Sequence, residues 1–140
     1  MTTKQEIALR DKTHLLPDVA IPVPEDSWAY EKALRAAGVE VIAFEQFGSY
    51  QGEWWAQVRF PNGEVYFVPG SFGSCSGCDA FEAEFGYKDE TKPDYLHRLR
   101  DFGRNYLTDC HTKEQAIAEA SKNLEWDSGA QAMIDWITQH

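Results

Sequence analysis

The sequence predicts an α+β fold, in which a three-stranded antiparallel meander packs against several helices and the C-terminal half is helical. Apolar residues alternate with a period of two between residues 39 and 68, which is typical of strands. Asn62-Gly63 lies between two of these alternating segments and is a strong hairpin signal. From residue 80 onward, apolar residues recur at helical spacing. Because the connections between the strands are too short for a parallel crossover, we expect a meander.

The composition favours one small domain covering residues 1–140. Hydrophobic residues make up 43% of the chain and aromatic residues 14%, which is sufficient for one core. The formal net charge of -10 would repel phosphate backbones, so we expect no direct nucleic-acid binding. No apolar segment is long enough to span a bilayer, and the N-terminus lacks a signal-peptide core. We therefore expect a cytoplasmic protein without membrane association.

Before the sheet, the sequence predicts an extended arm and one helix. The arm covers residues 1–25, because three prolines in its second half prevent a continuous helix. The helix covers residues 26–38, with Asp26 or Ser27 as its N-cap. Gly38 is expected to end this helix in the left-handed conformation.

After this helix, residues 39–68 are expected to form the sheet. In the first strand, Val41 and Phe44 should face opposite sides, because strand side chains alternate. In the second strand, one face should be buried and the other mixed. Residues 69–79 form a loop rich in Gly, Ser and Cys, and residues 80–140 are expected to be helical.

Three helices of the C-terminal half carry N-capping signals. Asp79 is expected to cap a short helix directly after the loop. Thr112 and Gln115 have the spacing of a capping box. Asp127 or Ser128 is expected to cap the last helix.

The loop at residues 69–79 contains half of a zinc motif. Cys75 and Cys78 have the Cys-x-x-Cys spacing that lets two thiolates from one turn reach a single Zn²⁺. The remaining ligands would come from residues elsewhere in the chain, namely His14, His97, Cys110 or His111. None of these forms a second tight pair, so free thiols are the simpler interpretation. We expect no cofactor, with zinc as the alternative.

Other chemistry at this loop is less well supported by the residues. Cys75 or Cys78 at a helix N-terminus would have a stabilised thiolate, but thioredoxin-like sites occur in βαβ units, and Asp79 opposes ionisation. The loop glycines allow a backbone nest for an anion, but the loop has no Lys or Arg. No Gly-x-Ser-x-Gly elbow is present. These observations favour a non-enzymatic protein.

Acidic and aromatic side chains suggest a protein-binding surface instead. Trp and Tyr commonly anchor interfaces, and carboxylates complement a basic groove on a partner. The expected binding residues are Trp54, Trp55, Tyr66, Asp79, Glu82, Glu84, Asp89 and Glu90.

Two segments, residues 48–58 (GSYQGEWWAQV) and residues 73–86 (GSCSGCDAFEAEFG), resemble small uncharacterised proteins encoded by bacteriophages and prophages. The resemblance covers the middle third of the chain and carries over no functional residue. It implies an accessory protein that acts on a host protein in a bacterial cytoplasm.

Three functional hypotheses follow from these observations. The first is a non-enzymatic acidic interaction protein that inhibits a host defence or nucleic-acid-processing complex. The second is a small metal- or thiol-dependent protein or enzyme centred on Cys75 and Cys78. The third is a binder of a nucleotide-like small ligand, with Trp54 or Trp55 as a stacking platform. The oligomeric state is left open.

Overall fold

The computed structural model describes residues 10–19, 21–23, 28–48, 52–73, 79–85, 93–122 and 129–140. Within these ranges the strands are β1 (Glu40–Gly48), β2 (Gly52–Arg59) and β3 (Val65–Phe72). The α-helices are α1 (Ala29–Ala37), α2 (Ala80–Phe85), α3 (Tyr95–Tyr106), α4 (Lys113–Ser121) and α5 (Gly129–Gln139). This arrangement confirms the predicted α+β class. No helix in the described ranges combines the length and apolar character needed to cross a membrane.

The three strands form one antiparallel sheet in the order β1-β2-β3, which confirms the predicted meander. The register of β1 shifts between Val41 and Ala43, which is a β-bulge at Ile42. Val41 pairs with Val58, and Phe44 pairs with Ala56, so both side chains lie on the same face of the sheet. The prediction that Val41 and Phe44 face opposite sides was wrong, because the extra residue shifts the alternation by one position.

Helices cover both faces of the sheet. On one face, the β2 residues Trp54, Ala56 and Val58 share a core with residues of α1 and α3. On the other face, Trp55 and Phe67 pack against residues of α4 and α5. The predicted mixed second face of β2 is confirmed, because Trp55 is buried under the α4–α5 pair whereas Gln57 is half-buried and Arg59 is exposed.

Three of the predicted helix boundaries are confirmed. Gly38 follows α1 with a φ of 114°, in the left-handed region. Thr112 and Gln115 form both hydrogen bonds of the capping box, at 3.2 and 3.0 Å. Asp79 accepts a hydrogen bond from the Glu82 backbone N–H at 3.0 Å and so caps α2. The N-cap position of α1 is Trp28, which makes no side-chain capping hydrogen bond, so the prediction of Asp26 or Ser27 as the N-cap was wrong. Asp26 and Ser27 lie outside the described residues, as do Asp127 and Ser128, the proposed N-caps of the last helix.

The described part of the N-terminal arm contains a short 3₁₀ turn at Thr13–Leu15 and packs on the rest of the chain. Its backbone is bonded at several points, because Lys12 N–H donates to Leu107 O at 3.1 Å and Ile21 N–H donates to Ala36 O at 3.0 Å. Leu16 is buried in the core shared by α1 and α3. The arm therefore joins the ends of these two helices.

Helices α1 and α3 come into close backbone contact at Gly103. A Cβ atom at this position would overlap the backbone carbonyl of Ala33 in α1. Close approach of two helix backbones requires glycine here, although glycine disfavours a helix by about 1 kcal/mol relative to alanine.

We expect Gly103→Ala to destabilise the protein by about 1–3 kcal/mol, because the overlap outweighs the gain in helix propensity. Asn105→Ala, at an exposed position of the same helix, isolates the propensity effect and should stabilise by about 0.5 kcal/mol. Urea denaturation of both variants measures the difference. Equal stabilisation by both substitutions would contradict the proposed backbone contact.

Candidate functional site

The two adjacent tryptophans of β2 are core residues. Trp54 is 0% exposed and Trp55 is 2% exposed. Trp54 lies among aromatic rings, with centroid distances of 5.2 Å to Phe44, 5.5 Å to Tyr30 and 5.1 Å to Tyr106. Trp54 and Trp55 therefore do not provide the exposed aromatic surface expected from the sequence. The reason is that each indole points into a different layer of helices.

Strand β3 continues to Phe72, so the prediction of a loop from residue 69 was wrong for residues 69–72, which pair with β2. Tyr66 lies near the beginning of this strand. Its hydroxyl donates to Glu64 Oε2 at 2.9 Å, and the Lys12 ammonium lies 4.9 Å from its ring centroid. Asp79 instead contacts Gly73, directly after the other end of β3. The structure therefore does not bring Tyr66 and Asp79 into one surface.

Asp79 is a buried structural residue rather than a surface carboxylate, with an exposure of 6%. It accepts hydrogen bonds from the Tyr30 hydroxyl at 2.7 Å, from Gly73 N–H at 3.0 Å and from Glu82 N–H at 3.0 Å. Burial and the Asp79 carboxylate raise the pKa of Tyr30 far above its usual value, so the phenol remains a neutral donor. The sequence predicted that Asp79 caps α2, but no sequence pattern indicated its hydrogen bond with Tyr30 of α1.

Of the remaining acidic residues, Glu82 and Glu84 lie on α2. Glu82 is half-buried, and Glu84 is exposed and pairs with Arg98 of α3 at 3.4 Å. Arg98 also donates to the Glu84 backbone carbonyl at 2.8 Å. Asp89 and Glu90 lie outside the described residues. Arg98 therefore neutralises part of the negative charge of the expected binding residues on α2.

The candidate zinc ligands that the structure describes occupy different environments. Cys110 is buried and donates to Leu107 O at 3.4 Å, and burial raises the pKa of its thiol to about 12. His111 is buried with its Nε2 atom 3.1 Å from Asp109 Oδ2, whereas His97 is exposed on α3. Cys75 and Cys78 lie outside the described residues. Within the described ranges, no group of three or more His, Cys, Asp and Glu is placed to hold a metal ion.

The outer edge of β3 is closed to further strands. Phe67 N–H donates to His111 O, and His111 N–H donates to Phe67 O, both at 2.8 Å. Pro69 lies two residues further along β3 and faces the same side, where its ring nitrogen has no hydrogen to donate. A bonded residue and a proline are common means of protecting an edge strand.

Among the residues that the structure describes, none bonds to the outer edge of β1, and this edge is called the open edge. Because Phe67 directs its backbone groups to His111, its β2 partner Gln57 must bond toward β1, where it pairs with Ala43. The alternation of the antiparallel ladder then directs the N–H and C=O groups of Phe44 and Gln46 away from β2. Within the described ranges, no backbone group bonds to either residue on this outer side.

The open edge of β1 is acidic. Residues 39–58 include Glu40, Glu45 and Glu53 and contain no Lys or Arg. The pairing of β1 and β2 places these three carboxylates on one face of the sheet. Glu40 pairs with Arg59 at 2.8 Å, while Glu45 is exposed.

A cavity of about 350 Å³ lies at the opposite edge of the sheet, between β3 and the α4–α5 pair. It is lined by β3 at residues 69–71, by Tyr106 at the end of α3 and by Trp55, among other residues. This cavity and the open edge of β1 are separate candidate sites.

The chain matches no protein-family model, and comparison with curated proteins and with solved structures finds no match. The described structure itself defines an α+β protein with helices on both faces of a three-stranded sheet, one closed sheet edge and one open edge.

We expect the hydrogen bond between Tyr30 and Asp79 to appear as a coupling energy in stability measurements. Tyr30→Phe should destabilise the wild-type protein by about 1–3 kcal/mol, because it leaves a buried carboxylate short of one donor. The same substitution should cost at least about 1 kcal/mol less in an Asp79→Ala background. Urea denaturation of the two single variants and the double variant measures this coupling.

Tyr66→Phe is the matched control, because its hydroxyl bonds to the exposed Glu64, and we expect a change within about 0.5 kcal/mol. Equal effects of Tyr30→Phe in both backgrounds would contradict a direct contribution of this hydrogen bond.

We expect Cys110 to resist alkylation in the native protein. With a thiol pKa of about 12, only about one thiol in ten thousand is ionised at about pH 8, and the side chain is buried. Iodoacetamide treatment followed by peptide mass spectrometry should find Cys110 unmodified without denaturant and modified in urea. Rapid native modification would show that the loop after α3 opens readily.

Proposed function

We propose that this chain is a non-enzymatic interaction protein that binds an extended, basic segment of a partner protein along the open edge of β1. The observation that carries the proposal is the pair of outward-facing backbone positions at Phe44 and Gln46, to which no backbone group of the described ranges bonds. Addition of a peptide strand to an exposed sheet edge is a recurring mode of protein recognition, in which backbone hydrogen bonds supply much of the affinity.

The contrast between the two sheet edges supports this site. An edge strand with unbonded backbone groups favours aggregation unless it is protected. Phe67 and Pro69 protect β3, whereas the outer side of Phe44 and Gln46 has no such protection in the described structure. The bulge at Ile42 and the carboxylate of Glu45 limit indiscriminate pairing without removing the hydrogen-bonding groups.

The side chains of β1 indicate the chemistry of the partner. An added strand would place alternate residues on the face that carries Glu40 and Glu45, where Lys or Arg would pair favourably. Its other residues would lie beside the half-buried ring of Phe44, where apolar side chains fit. We therefore expect a partner segment in which basic and apolar residues alternate.

The net charge of the chain also favours a basic partner segment. A formal charge of -10 attracts basic segments over distances longer than a hydrogen bond and speeds their association at low ionic strength. Glu82 and Glu84 on α2 add to the negative charge of the chain, although Arg98 pairs with Glu84.

The resemblance to phage and prophage proteins extends this proposal to a host partner in a bacterial cytoplasm. Complexes that process nucleic acids contact phosphates through Lys and Arg, so they present basic segments of the kind that β1 would bind. Occupation of such a segment would block nucleic-acid access, and we propose inhibition of a host defence or nucleic-acid-processing complex as the biological role.

The proposal predicts binding of a fluorescein-labelled peptide in which lysine and valine alternate, measured by fluorescence anisotropy. Gln46→Pro should weaken this binding about tenfold, because proline removes the outward N–H donor and leaves the bonds between β1 and β2 in place. Gln46→Ala is the matched control and should retain the affinity. Thermal melting of both variants checks that each is folded.

Peptide controls separate strand addition from general charge attraction. A peptide of the same composition with lysines and valines in two blocks should bind more weakly, because its side chains cannot alternate between the two faces. A peptide of alternating glutamate and valine should not bind. Equal binding to folded Gln46→Pro and Gln46→Ala, or equal binding of the block peptide, would refute the edge of β1 as the site.

A further inference from the structure

We propose that Asn62 is a site of spontaneous deamidation in the folded protein, where it is converted into aspartate and isoaspartate. Asparagine followed by glycine favours this reaction most, because glycine has no side chain that hinders its backbone nitrogen. The inference is independent of the proposed edge-strand function, because it concerns only the turn between β2 and β3.

The reaction requires water and no other reagent. The backbone nitrogen of Gly63 attacks Cγ of Asn62, so a bond forms between these two atoms. The bond from Cγ to the side-chain nitrogen breaks, and ammonia leaves with the proton that the Gly63 nitrogen has lost to solution. Water then opens the resulting succinimide. Cleavage at Cγ gives aspartate, and cleavage at the backbone carbonyl carbon of residue 62 gives isoaspartate.

The Asn62-Gly63 turn is accessible to water. Residues 61–64 are all exposed. Gly63 has a φ of 93°, and no atom beyond the adjacent residues lies within 4 Å of the position that a Cβ atom would take. The turn therefore leaves room beside Gly63 for the succinimide ring and for the water that opens it.

A backbone donor lies where negative charge develops in the first step. Glu64 N–H donates to Asn62 Oδ1 at 3.0 Å. Attack on Cγ moves electrons onto this oxygen, and a donor that is already in position stabilises such a charge. The folded turn therefore promotes the attack in addition to supplying the reactive sequence.

One hydrogen bond holds the attacking nitrogen. Gly63 N–H donates to Phe60 O at 2.9 Å, and this bond must open before the nitrogen can lose its proton. Opening at an exposed turn costs little free energy compared with opening of a core strand. We therefore expect the native protein to deamidate at no less than about one tenth of the rate of the unfolded chain.

The two products differ in their effect on the hairpin. Aspartate keeps the length of the backbone and an acceptor oxygen for Glu64 N–H. Isoaspartate adds a methylene group to the backbone between residues 62 and 63. The hydrogen bonds from Phe60 N–H to Glu64 O and from Gly63 N–H to Phe60 O then cannot both keep their geometry. Because the turn fixes the register of a hairpin, the isoaspartate form should melt at a lower temperature than the aspartate form.

Incubation of the whole chain at mildly alkaline pH, with and without urea, tests the proposal. Peptide mass spectrometry at intervals measures the mass gain from carboxamide to carboxyl, and electron-transfer fragmentation distinguishes isoaspartate from aspartate. Asn105 is the internal control, because it lies within α3 and precedes tyrosine. Gly63→Ala is the control variant, and thermal melting checks that it is folded.

We expect Asn62 to be modified in the native protein while Asn105 stays intact, with modification at least about tenfold slower in Gly63→Ala. Native modification at less than one tenth of the rate in urea would overturn the proposal, because the turn would then protect Asn62. An intact Asn62 under both conditions would also overturn it. So would modification of Asn105, or of folded Gly63→Ala, at the rate of wild-type Asn62.

Discussion

The structure depends on the burial of two adjacent tryptophans on opposite faces of one strand. Side chains alternate along β2, so Trp54 and Trp55 require two separate apolar layers to exclude water from both indoles. Helices α1 and α3 supply one layer, and the α4–α5 pair supplies the other. A sheet of only three strands can be stable in this setting because helices cover both of its faces.

Several details of the fold follow from this constraint. The Trp54 indole occupies the space where a larger residue at position 70 would place its Cβ atom, so β3 carries glycine there. The layer over Trp54 is compact because Gly103 lets two helices meet backbone to backbone. Asp79 then ties the beginning of α2 to Tyr30 within the same layer. Small residues and one buried carboxylate thus position the bulky aromatic side chains.

Local sequence signals predicted the elements that depend on local interactions. Asn62-Gly63 identified the β2–β3 hairpin, and Thr112 with Gln115 identified the start of α4, because turn and cap hydrogen bonds involve neighbouring residues. The bulge at Ile42 has no comparable local signature. The burial of Trp55 depends on helices that follow much later in the chain, and Asp79 could be identified as a cap but not as the partner of Tyr30. Which sheet edge is open is likewise a property of tertiary contacts, since His111 closes β3 from a distant position.

The position of α4 and α5 in the chain has a consequence for biosynthesis. These helices are translated after the sheet, yet they cover Trp55 and Phe67, and the His111 segment that bonds to the edge of β3 directly precedes α4. At roughly 5–20 residues per second, the ribosome takes several seconds to add the residues between β3 and the end of α5. During that interval the nascent sheet exposes an indole, a phenyl ring and a second unbonded edge to the surrounding solution. The nascent sheet is therefore most prone to aggregation during this interval, before α4 and α5 have been synthesised.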